Sequence, residues 1–324
     1  MTRTDGGGWE GMDYRGWQDP EDVRRRLDAG ADPERWGVGG SRPLHRAALL
    51  GSPEVAAELA RRVADVDALE GGTTALWDAV VERRSENARA LVAAGADPGW
   101  VGPGGWTPAR LSLAGPDPEL FADLPEARPG LTEAERAVTE EGRRLIAALG
   151  DFYDDGLGLA CVGGIDAAEA IRRLEATPAD PELTAELEED PYAYDLDETL
   201  RIVGVTTVPG GCVITQPWGY GPSMPGIHTR LSAGTVSYGL YANPKSGNQG
   251  SIHRDGVCEG WDLHPGGGPD VGDSPGEVLF SYVYCNQAVA HSLAYAGLRP
   301  TDARAILGPP DHWVELPDRD YWAV

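Results

Sequence analysis

Apolar residues recur at two different spacings along this chain, and the change falls past its middle. In the first third the step is helical. Over Glu54–Arg62, Val55, Leu59 and then Val63 stand four apart and draw one apolar stripe along a short helix. Pro43 and Pro108 stand where a helix begins, a position that needs no backbone donor. Leu44, Ala47 and Ala48 form the packing face of another helix, which Leu49-Leu50-Gly51 ends, with Gly51 supplying a left-handed turn. Gly30 and Gly95 mark helix ends in the same way.

After a Pro/Gly junction at Leu124–Gly130, Thr132 and Glu135 form a capping box. The helix they open carries Ala134, Ala137, Val138, Leu145, Ile146 and Leu149 on one face and stops at Gly150. A short apolar strand is predicted over Leu157–Ile165, then a helix from Asp166 to near Ala176. Residues 177–199 are very acidic and read as a loop with a little helix. From Arg201 the period becomes two. Ile202–Val208 and Cys212–Gln216 read as a hairpin, Thr235–Tyr241 as a strand, and Ser251–Arg254 with Val257–Leu263 as a second hairpin around Asp255-Gly256. Gly219–Pro225 reads as a rigid loop and His264–Pro275 as a Gly/Pro loop. Ser274 and Glu277 cap a long helix running to Ala296, and Thr301–Leu307 forms a last short one. Residues 130–324 are therefore expected to be an α+β domain with an antiparallel sheet.

The first third also repeats. Gly30-Ala31-Asp32 returns as Gly95-Ala96-Asp97, with Val63-Ala64-Asp65 between, so the alanines are 33 and 32 residues apart. Residues 40–45, 72–77 and 105–110 align at the same step. On these residues the segment 17–123 resembles ankyrin repeats: a half repeat at 17–38, repeats at about 39–70 and 71–103, and a partial one at 104–123. The resemblance implies an all-α stack of antiparallel helix pairs with projecting loops, binding a protein partner through loop tips and concave face. It places Trp36, Leu69 and Trp100 at the tips, where large apolar residues suit partner-binding hot spots. Arg42 stands where the family has a hydroxyl, and Trp77 and Arg110 replace the histidine seen at His45, so its loop hydrogen bonding is incomplete here. So short a stack needs capping, by the half repeat or the C-terminal domain. The second half is loosely similar to an uncharacterised bacterial domain, through Leu159–Leu174, Pro217–Tyr220, Leu231–Val236, Tyr241 and Asn243. That family has no assigned activity.

Composition narrows the partners. Among 324 residues, 52 acidic against 27 basic side chains give a formal charge of −25, which argues against nucleic acid and anionic membranes and favours a basic protein partner. Lys245 is the only lysine; the arginine, glycine and proline bias is that of a GC-rich bacterial coding sequence. The four cysteines are scattered with no CxxC pair, so neither a zinc site nor a disulfide scaffold is expected. No cofactor or metal is expected. The N-terminus carries no signal-peptide core and no apolar run approaches a bilayer span, so a soluble cytoplasmic protein is expected.

Catalytic signatures such as GxSxG, HExxH and Walker A are absent. The sharpest cluster is His253, Cys258, Asp262 and His264. A two-residue turn at Asp255-Gly256 sets His253 opposite Cys258, a pairing that can activate a thiolate, while extended strand carries His264 away. A half-buried cysteine beside a surface histidine is the plainer account. The loop Tyr241–Gln249, rich in amides, suits either a polar ligand or a plain surface loop. Trp313, Tyr321 and Trp322 anchor the tail. Three functions stay open: a protein-binding module, an ankyrin-targeted hydrolase or transferase, and a neutraliser of a toxin or effector.

Overall fold

The computed structural model describes residues 8–35, 42–191 and 193–323. In chain order the helices are α1 (Tyr14–Gln18), α2 (Pro20–Asp28), α3 (Pro43–Leu50), α4 (Pro53–Ala60), α5 (Ala75–Val81), α6 (Ser85–Ala93), α7 (Pro108–Ser112) and α8 (Glu133–Leu149). They continue as α9 (Ala167–Leu174), α10 (Pro181–Glu189), α11 (Leu196–Thr199), α12 (Pro225–Leu231), α13 (Pro275–Val283), α14 (Ala288–Tyr295) and α15 (Arg304–Leu307). The strands are β1 (Gly158–Gly163), β2 (Thr177–Pro178), β3 (Ile202–Val208), β4 (Gly211–Gln216), β5 (Val236–Asn243), β6 (Gly247–Arg254), β7 (Val257–Leu263) and β8 (His312–Glu315). By packing the chain forms two units. One holds residues up to Thr139 together with Gly268–Cys285; the other holds Glu140–Gly267 and the chain from Asn286 onward.

The first unit is helical. α3 packs on α4 and α5, and α4 on α6. Val55 and Leu59 of the expected stripe are fully buried, as are Leu76 on α5 and Leu91 on α6. One turn recurs three times: Asp32, Asp65 and Asp97 each accept, through the side chain, the backbone N–H two residues on, from Glu34, Asp67 and Gly99. These turns also bridge to one another. The Ala64 N–H donates to Glu34, and the Asp97 N–H to Asp67, in each case 30 residues apart. Asn87 fastens α6 to the end of α3, its Nδ2 donating to the carbonyls of Ala47, Ala48 and Gly51.

Two expectations change here. Gly51 ends α3 with extended backbone (φ −77°, ψ 166°), not a left-handed turn. A Cβ there would meet the Ala47 carbonyl oxygen at 2.6 Å, so glycine is needed for close approach. The long helix expected over Pro275–Ala296 is two helices, α13 and α14, and Asn286 between them is left-handed (φ 60°). The apolar period continues across the break, but the backbone does not, and the pieces belong to different units. α13 serves the first unit: Pro275 accepts a hydrogen bond from the Trp106 indole. The Arg83 guanidinium donates to the Tyr282 and Val283 carbonyls, satisfying groups left open at the α13 C-terminus.

The second unit is built on one eight-stranded antiparallel sheet of order β2-β8-β3-β4-β1-β5-β6-β7. β1 comes first in sequence yet lies inside, between β4 and β5, and every residue of it is buried. Ala160, Val162, Val203, Val205 and Ile214 face Ala170 and Leu174 of α9 and Ile227 and Leu231 of α12. Tyr238, from the other face of β5, packs on His291 and Tyr295 from α14 and its C-terminal edge. The acidic stretch holds more helix than expected. Asp180 caps α10, and Leu187 joins Ile202 and Trp218 in a second small core. Among the described residues no helix is long and apolar enough to cross a membrane.

Asn87→Ala removes one donor group from three carbonyls in a buried setting. We expect a loss of about 2 kcal/mol in unfolding free energy by urea titration, with the m-value unchanged. A loss within error would show that water replaces the amide.

Candidate functional site

The residues that gather at one place in the second unit come from the two-residue period of three neighbouring strands. On β5, Ser237, Gly239, Tyr241 and Asn243 share a face. Across the ladder Ser237 pairs with His253, Gly239 with Ser251 and Tyr241 with Gln249. β7 should run on from the Asp255-Gly256 turn in strict register, which would put Trp261 opposite Gly250 and on the other face. The register shifts beyond His253, so that Trp261 pairs with Ser251 instead. One extra residue in β7 thus turns this indole to the face of Tyr241 and Ser251.

Over that face lies a cavity of about 420 Å³, within the size range of small-molecule sites. Its walls are the rings of Tyr220, Tyr241, Trp261 and Trp322, with Asn243, Gln249 and Ser251 among the polar groups. Tyr220 meets Tyr241 at 5.7 Å between centroids and Trp322 at 5.9 Å; Trp322 meets Trp261 at 6.3 Å. Trp261 and Trp322 are about half exposed (51% and 53%). At the floor, a Cβ on Gly239 would come within 2.5 Å of His228 Nε2 and 2.7 Å of Ser251 Oγ. Only glycine lets those two side chains pack this close to the strand.

Beside the floor two imidazoles stack. The rings of His228, on α12, and His253, on β6, are 5.0 Å apart and 19° from parallel, and both residues are fully buried. His228 Nδ1 is 2.6 Å from Ser237 Oγ. Burial first, and then the neighbouring His253, push the His228 pKa down to about 3, against an opposing pull from the Pro222 backbone. Burial likewise lowers His253. Both rings are neutral at pH 7.

The sequence candidates fall as follows. His253 and Cys258 do face each other in register. Yet neither nitrogen of His253 has a hydrogen-bond partner among the described residues. The burial expected of the pair is reversed: His253 is buried, and Cys258, at the sheet edge, is exposed, with its thiol 3.4 Å from the Gly260 carbonyl. His264 is exposed, and the Asp262 side chain lies outside the described parts. Trp36 lies outside the described residues. Leu69 is 51% exposed. Trp100 is half-buried and sets its edge against Trp77, at 6.1 Å and 75°. Val101, 32 residues beyond Leu69, is 68% exposed and is not among the residues expected from the sequence. Tyr241, Asn243 and Gln249 of the amide-rich loop do line the cavity. Tyr220 entered only through the resemblance of Pro217–Tyr220, and no local pattern singled out His228 or Trp261. Trp313 stacks on Trp218 and donates to Glu188, and Tyr321 is buried. No protein-family model matches this chain, and no curated protein matches it either.

Two predictions follow from these environments. The buried thiols are held protonated, Cys212 pushed up to about 12, Cys285 to about 11, and Cys161 also raised, all chiefly by burial. Native protein should therefore lose a single thiol to iodoacetamide, at Cys258, and the other three only in denaturant; labelling of a second cysteine under native conditions contradicts the burial argument.

The histidine pair sets a pH dependence. An unfolded histidine takes up its proton near 6.5 while folded His228 resists to about 3. The unfolded chain therefore binds more protons in that window, and stability falls as pH drops below 6.5, at up to about 1.4 kcal/mol per unit for each such histidine. Urea midpoints at pH 7 and pH 5 should differ, and His228→Asn should reduce the difference. An unchanged slope in that variant would assign the loss to other groups.

Proposed function

We propose that the helical unit is an ankyrin-like repeat stack and that the protein works as a protein-binding module. The observation that carries this reading is the turn that recurs at Asp32, Asp65 and Asp97, at the 33- and 32-residue step found in the sequence. Helix starts keep the same step, Thr74 capping the Trp77 N–H and Thr107 the Arg110 N–H. Within each proposed repeat the second helix packs beside its predecessor's equivalent, as α6 does on α4. In this reading α13 supplies the cap that so short an array needs, with Tyr282 lining one small hollow together with Ala79, Val80 and Ser112.

The partner is a protein, met by the tips that carry Leu69 and Val101. Both are apolar and more than half exposed, on loops held by fixed carboxylate–amide bonds. Tips fixed in advance lose little entropy on binding, which makes even modest apolar contacts effective. The formal charge of −25 favours a basic partner surface. Trp36 belongs to the same proposed surface by its sequence position. Trp100 has a different role in this reading: it steadies the tip through Trp77.

Full-length protein should therefore be compared with a Leu69→Ser/Val101→Ser variant as immobilised bait in extract of the source cells. A partner enriched by the first and lost from the second supports the proposal, with thermal stability nearly equal because both sites are exposed. Trp100→Ala should instead lower stability, by about 1 kcal/mol or more. Equal enrichment by both baits would count against the tips.

A further inference from the structure

We propose that the aromatic cavity of the second unit binds a small quaternary ammonium compound carrying a hydroxyl or carbonyl group on a short arm. This goes beyond the protein-binding reading and rests on different residues, so either can fail without the other.

The shape of the wall comes first. Tyr241, Tyr220, Trp322 and Trp261 form a continuous run of touching rings, each turned from the next by 69°, 43° and 79°. Neighbouring rings at such angles do not make the parallel plates that sandwich a flat heterocycle. All four residues line one compact volume instead. Ring faces carry the negative part of the aromatic quadrupole and attract a cation placed over them, tryptophan most strongly.

Charge narrows the choice. Among the described residues that line the cavity none is Asp, Glu, Lys or Arg. An anion would find no cation to pair with. A primary ammonium would bring three N–H donors and a tightly held water shell, and no carboxylate is there to replace that shell. A quaternary ammonium has no N–H donors and needs only polarisable faces. The stacked histidines beside the floor are neutral and do not oppose it. The net negative charge of the chain raises the local concentration of cations.

The polar arm is set by Ser251. The residue lines the cavity, and its Oγ is buried with no hydrogen-bond partner among the described residues. A buried hydroxyl without a partner is costly, and a ligand hydroxyl or carbonyl would satisfy it.

The test is titration of the full-length protein, by tryptophan fluorescence and calorimetry, with choline, acetylcholine, tetramethylammonium and 3,3-dimethylbutan-1-ol. The last has the shape of choline without its charge. Saturable choline binding, at least about tenfold tighter than the neutral isostere, is expected. Trp322→Ala should weaken it about tenfold, and Trp322→Phe less, which separates ring chemistry from folding. Ser251→Ala should weaken choline but leave tetramethylammonium, which has no hydroxyl, unchanged. Equal affinity for choline and its neutral isostere overturns the proposal. So does tighter saturable binding of glucose or adenosine, or no saturation by either choline or acetylcholine in the millimolar range.

Discussion

The second unit depends on the burial of one short strand from both sides. β1 is hydrogen-bonded to β4 along one edge and to β5 along the other, and none of its six residues reaches solvent. Without it the sheet would be two pieces, β2-β8-β3-β4 and β5-β6-β7, each with a raw edge. The residues suit that place. Leu159, Cys161 and Val162 fill both faces, while Gly158 and Gly163 admit close backbone neighbours at the ends. A charge at any of these positions would have no water and no partner, and that is why a cysteine here is an apolar residue and not a reactive one.

The same demand explains why the cavity is open. Over much of this face α9 and α12 lay apolar side chains on the strands, but at Gly239 α12 brings in the His228 imidazole, so close that a Cβ would meet it at 2.5 Å. A glycine on the strand, a serine on its neighbour and large rings further out leave a hollow that is roofed only at its rim. Its floor belongs to the well-packed sheet, so the hollow is a fixed shape and not a product of loop motion. Two of its rings, Trp261 and Trp322, sit on the edge strand β7 and on the segment after β8.

How much of this was legible in the sequence depended on range. Local chemistry read well. The Ser274–Glu277 capping box forms as expected, and so does the reciprocal pair at Thr132 and Glu135. Asp255 and Gly256 both take positive φ, as a two-residue hairpin turn requires, and this alone placed His253 opposite Cys258. The amide-rich stretch near Tyr241 pointed at the cavity, but only a part of it. Tyr220, Trp261 and Trp322 meet across separations of 41 and 61 residues, which leave no periodic trace. Trp261 was beyond reach for a sharper reason: a single shift of register decides which face it joins. The short strands β2 and β8 escaped notice because two to four residues carry too little pattern. α12 hid behind its prolines, and with it His228.

The placement of Gly268–Cys285 has a consequence for how the protein is made. These residues complete the helical unit, yet they are synthesised after nearly all of the sheet unit's strands. A ribosome delivers the first 139 residues long before it delivers the segment that receives the Trp106 indole bond and the Arg83 guanidinium. Until then the Trp106 indole and the Arg83 guanidinium lack those partners, and the nascent chain must carry them so through most of translation. The intervening residues act as a timer: the helical unit cannot close before the strands that follow it have emerged. A gene fragment ending in the junction at 124–130 would encode the proposed repeats without their own last helix.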